Sequence, residues 1–71
     1  MGNKRYRLVA KDYRSNRIPL PGPMLYFNGL SYDEVRHVAW GVALGLRVNY
    51  KKPRVEIWDA DTDALIFIQQ Y

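Results

Sequence analysis

The chain has no cysteine and a single histidine, His37. Without thiols there is neither a disulfide staple nor a thiolate metal site. One imidazole without a positioned partner gives poor means for acid–base or nucleophilic chemistry. Long apolar runs are missing too. The longest weakly charged stretch, Val38 to Leu46, falls far short of the ~20 residues that cross a bilayer. No apolar segment follows the basic start, so no secretory leader is expected. The opening Met1-Gly2 resembles an N-myristoylation site but carries Tyr6 where Ser or Thr is required. Together these absences predict a soluble, cytoplasmic protein with no membrane partner.

With 71 residues, 48% of them hydrophobic, the chain has the makings of one small globular domain spanning 1–71. Six of its aromatics are tyrosines, which pack a ring while offering a hydroxyl to water or to a partner.

Charge is segregated along the sequence. Lys4, Arg5, Arg7, Lys11, Arg14 and Arg17 stand against Asp12 in the first 17 residues. Arg47, Lys51, Lys52 and Arg54 form a second basic cluster, and Glu56, Asp59, Asp61 and Asp63 follow it. The formal net charge of +4 conceals this separation, which governs the partners a protein attracts.

Residues 4–13 alternate as a strand does: Tyr6, Leu8 and Ala10 on one side, Arg5, Arg7, Lys11 and Tyr13 on the other. RSNRIPLPGP then reads as an extended, proline-rich connection. Its prolines do not fall in the register of a ligand for proline-recognising domains. Met24 to Phe27 suit a short strand ended by the turn dipeptide Asn28-Gly29.

Ser31 with Glu34 three residues on is a capping box, and Leu30 and Val35 occupy the positions of a hydrophobic staple. They start a helix whose core face is Val35, Val38, Ala39, Val42 and Leu46. Two ends are compatible with the sequence: a Schellman cap at Gly45, or continuation to about Val48. RVEIWD and ALIFIQQ follow as two strands joined by an acidic turn. The predicted fold is α+β: a two-layer β-(β)-α-β-β domain with one helix packed on a three- or four-stranded sheet.

Period-two alternation then turns Leu8, Val55, Ile57, Ile66 and Ile68 toward the helix. Arg5, Arg7, Lys11, Tyr13, Arg54, Trp58, Phe67 and Tyr71 are sent to the opposite face. Rings among cations suit single-stranded nucleic acid, because bases stack on rings while Lys and Arg follow phosphates. The expected nucleic-acid site is Arg5, Arg7, Lys11, Tyr13, Arg14, Arg17, Lys51, Lys52, Arg54 and Trp58. No RNP1-like run and no helix pair for a helix-turn-helix is present.

A second expectation is a protein–protein interaction module, a small regulator or inhibitor that forms a homodimer or meets an acidic protein surface. Its interface would use Trp40, Leu44, Trp58 and Phe67. Trp40 and Leu44 form a narrow second apolar stripe on the helix, and Gly41 and Gly45 beside it permit a close backbone approach. The turn Asp59–Asp63 fails as a calcium loop, with Ala64 at position 6 and Gln70 at position 12. It reads as a polar hairpin turn whose charge discourages edge pairing. His37 lies one turn after Asp33 with no second catalytic partner. Catalytic, cofactor, metal and small-molecule sites are all unexpected.

Overall fold

The computed structural model describes residues 5–22 and 26–70. Its elements are β1 (Arg5–Lys11), β2 (Arg17–Ile18), β3 (Tyr26–Asn28), α1 (Tyr32–Leu46), β4 (Arg54–Asp59) and β5 (Ala64–Gln70). All pairings are antiparallel, in the order β2-β1-β4-β5, with β3 also on β1. The α+β class and the single helix on a sheet agree with the sequence; the sheet has five strands. The added strand is β2. The turn before it is shaped by Asp12, whose Oδ1 accepts from the backbone N–H of Arg14 at 2.9 Å and of Asn16 at 3.0 Å. Ser15 takes φ 65° there. The chain therefore reverses at once, where an extended connection is the sequence expectation, and β2 and β3 line up along one edge of β1. Lys4, Met24, Leu25 and Tyr71 lie outside the described residues.

Leu8 pairs with Ile57 and Ala10 with Val55, so their side chains share the face under the helix. These four and Val35, Ala39 and Ala43 of α1 are almost wholly buried, with Tyr6 and Ile18 beside them. Ala39 and Ala43 are small, which lets the helix lie close on the sheet. Val38, Val42 and Leu46, expected in the core, are half-buried at its margin.

The capping box forms as the sequence predicts. Ser31 Oγ accepts from the Glu34 N–H at 3.2 Å, and Glu34 Oε1 accepts from the Ser31 N–H at 3.0 Å. These two bonds hold the Glu34 carboxylate below its ordinary pKa, the backbone bond contributing most. The helix ends at Leu46 with Arg47 as a right-handed cap. The Schellman alternative at Gly45 is thereby excluded, because among the described glycines only Gly29 has positive φ, at 78°.

The last strand departs from simple alternation. Ile57 pairs with Phe67 and Trp58 with Leu65, so a β-bulge interrupts the register between them. Phe67 and Gln69 consequently fall on the helix side with Ile57 and Val55. Ile68 pairs with Glu56 and falls on the open side. The expectation that Ile66 and Ile68 face the helix and Phe67 faces away is reversed. Phe67 packs at the core margin under the Arg36 guanidinium, 4.3 Å from its ring centre.

Candidate nucleic-acid interface

The face of the sheet opposite the helix carries Arg5, Arg7, Lys11, Arg54 and Trp58, as the alternation requires. These cations are engaged within the chain. The hairpin after β4 is tightened by Asp59, whose Oδ1 accepts from the N–H groups of Asp61 at 2.9 Å and Thr62 at 3.3 Å. Ala60 N–H donates to the Arg5 carbonyl at 3.0 Å, which moors the turn beside the start of β1. From there Asp61 reaches Arg5, with Nε donating to Oδ1 at 3.0 Å, and Asp63 takes the Arg7 guanidinium. The hydrogen bond and charge of Asp61 raise the Arg5 pKa further. The carboxylates of the acidic turn are thus committed to the basic strand.

Further along the same face, Lys11 and Arg54 stand directly opposite each other, a like-charged pair that would repel. Glu56 lies between them. Its Oε2 accepts from Arg54 Nε at 3.2 Å and meets Lys11 Nζ at 3.4 Å, while Oε1 accepts from the Trp58 indole N–H at 3.0 Å. Burial pushes the Glu56 pKa up, but the Trp58 bond and the two cations outweigh it and leave the carboxylate below its ordinary value. Trp58 is half-buried, with the Arg7 guanidinium 5.3 Å from its ring centre. Arg5, Arg7 and Trp58 are therefore engaged within the fold, Trp58 through its indole N–H and one face of its ring.

The remaining cations gather at one end of the sheet. β1 finishes there and β4 begins there, which brings Arg14 and Arg17 of the first turn to the same end as Lys51 and Lys52 of the α1–β4 connection. Arg14, Arg17, Lys51 and Lys52 are exposed and make no ion pair among the described residues. Arg14 lies 5.2 Å from the ring centre of Tyr13, which is 53% exposed. Arg54 ties the two segments together, donating from Nη2 to Ser15 Oγ at 3.0 Å. Lys52 takes φ 44°, and Pro53 behind it is wholly buried, so the lysine pair is anchored to the core. The opposite end carries Asp33 and Glu34 of the first helical turn together with the acidic hairpin. Charge segregated along the chain becomes charge segregated along the strands, a pattern invisible before the strands are paired.

Of the expected protein-interface residues, Trp40 is exposed on α1 and lines a groove with Asp33, Arg36, His37 and Gln69. Leu44 is half-buried one turn farther along the helix, and Trp58 is on the far side of the sheet from both. Trp40, Leu44, Trp58 and Phe67 therefore do not make one surface. Gly41 and Gly45 line an apolar trough with Pro19, Leu20 and Pro21. A Cβ at either glycine would meet nothing within 4 Å, so no close backbone approach uses them among the described residues.

No protein-family model matches the chain, no curated protein is significantly similar to it, and no solved structure matches its fold. No helix among the described residues is long and apolar enough to cross a membrane.

Proposed function

We propose that this protein is a small non-enzymatic module that binds the phosphate backbone of nucleic acid at the basic end of its sheet. The observation that carries the reading is the gathering there of Arg14, Arg17, Lys51 and Lys52, exposed and not paired with carboxylates among the described residues, beside the exposed ring of Tyr13. Lys11 and Arg54 add to the field because they share the single carboxylate of Glu56. Cations set around an exposed ring suit phosphate contact with stacking of an unpaired base. The larger sequence-derived site contracts accordingly: Arg5, Arg7 and Trp58 serve the fold. The protein would act in the cytoplasm, where nucleic acid is at hand.

The test is titration of the full chain with fluorescent mixed-sequence RNA and DNA across a range of salt. Four phosphate contacts give a log–log salt slope of about −3 on single strands and about −3.6 on duplex. Replacing Arg14, Arg17, Lys51 and Lys52 with alanine abolishes binding, while Arg5→Ala/Arg7→Ala keeps it. No binding at low salt, or loss in the Arg5/Arg7 variant alone, defeats the proposal. Binding of an acidic polypeptide such as polyglutamate in preference to either nucleic acid would move the same site to the acidic-protein reading.

A further inference from the structure

β5 is the outer strand of the sheet. Its inner edge pairs with β4, and its outer edge has no partner among the described residues. It runs for seven residues, Ala64–Gln70, without a charge or a proline. Long uncharged edges of this kind are templates for another strand, and proteins that must keep them single blunt them with lysine, proline or a cover. Leu65, Ile66 and Ile68 are 45%, 38% and 38% exposed.

We infer that the β5 edge pairs antiparallel with β5 of a second copy, making a closed two-fold dimer with one continuous sheet. Charge complementarity selects the occupant and its direction. The Gln70 end of the strand lies with Lys51, Lys52 and Arg54, whereas at the Ala64 end Asp59, Asp61 and Asp63 outnumber Arg5 and Arg7, which pair with two of them, and leave that end net acidic. An antiparallel copy sets each basic end beside the other's acidic end; a parallel copy would set like beside like. Symmetry is consistent with the same choice. A two-fold axis at Phe67 places Ile66 of each copy opposite Ile68 of the other and Phe67 opposite itself. Among the described residues the other edge of the sheet offers β2, with two residues, and β3, with three, a poor template for head-to-tail growth, so the pairing closes. The groove of Asp33, Arg36, His37, Trp40 and Gln69 runs between α1 and β5, and the second copy covers it and Trp40.

Sedimentation of the purified full chain over a hundredfold concentration range tests this. The expected result is a species of twice the 8.4 kDa chain mass whose dissociation constant rises with salt. Ile66→Lys and Ile68→Lys each raise that constant at least tenfold while circular dichroism shows the fold intact. Both side chains are partly exposed, and position 68 pairs with Glu56, whose carboxylate tolerates a cation opposite it. Hydrogen exchange of the outward β5 amides slows as concentration rises. A monomer throughout the range, or a dimer that both lysine variants leave unchanged, overturns the inference. Neither variant touches Arg14, Arg17, Lys51 or Lys52, so nucleic-acid binding is scored independently.

Discussion

The Trp58 indole N–H donates to one oxygen of Glu56 while the other oxygen of that carboxylate receives Arg54 and Lys11. One buried anion therefore fixes a ring and neutralises a like-charged cross-strand pair. Glu56→Ala leaves the two cations facing each other and costs about 3 kcal/mol, read from urea unfolding. The pH dependence has a definite sign. Glu56 is held below its ordinary 4.5 in the folded state, so its contribution is complete above that value and is lost as pH falls through the lowered folded pKa. On acidification from neutral pH through that range the wild type loses more stability than Glu56→Gln does, and the Trp58 indole proton resonance moves over the same interval.

Asp61→Asn/Asp63→Asn releases Arg5 and Arg7 at little cost to the fold, because exposed ion pairs are weak. Two cations become available to phosphate. Affinity for RNA rises, and the salt slope steepens by up to about 0.7 per added contact.

Gly41→Ala stabilises the protein by about 0.5–1 kcal/mol in denaturant unfolding. The helix gains alanine's propensity, and the new methyl enters open space. Gly45→Ala, in the last turn, gains less.

Ser31→Ala removes one half of the capping box and costs about 1 kcal/mol. The Glu34 carboxylate, held down by its bonds to Ser31, titrates closer to its ordinary pKa in the variant, which an NMR pH titration resolves.

Phe67→Ala costs about 2–3 kcal/mol and Ile68→Ala about 1 kcal/mol or less when measured on dilute protein. The order follows from the bulge, which turns Phe67 toward the core margin and Ile68 toward solvent. Simple alternation of β5 predicts the opposite order.

Legibility in the sequence follows the range of the interaction. The start of α1 is readable because Ser31, Glu34, Leu30 and Val35 act within one turn of one another. The faces of β1 and β4 are readable because neither strand is interrupted between them. β5 is not, because a bulge is a property of two strands: nothing in ALIFIQQ alone marks the shift opposite Ile57 and Trp58. The tight turn at Asp12 is hidden by the prolines downstream, which point to an extended path. The candidate site suffers most from distance. Arg5 and Asp61 are 56 residues apart, so in the sequence the N-terminal positives read as one basic face although Arg5 and Arg7 are neutralised in the fold. Arg14, Arg17, Lys51 and Lys52 are recognisable as cations, but their meeting at one end depends on the pairing of β1 with β4.

That pairing also sets the order in which the chain becomes a protein. β1 is made before its central partner, and the face it shares with β4 supplies much of the core, yet Leu8 waits for Ile57. Sequence-distant contacts of this kind are slow to close and cannot form before β4 has been made. Until β4 emerges from the ribosome, Tyr6, Leu8 and Ala10 have no sheet partner but the short β2 and β3. The sheet therefore closes only after β4 and β5 have been made. Until then Arg5 and Arg7 lack Asp61 and Asp63, and the positive charge of β1 stands uncompensated.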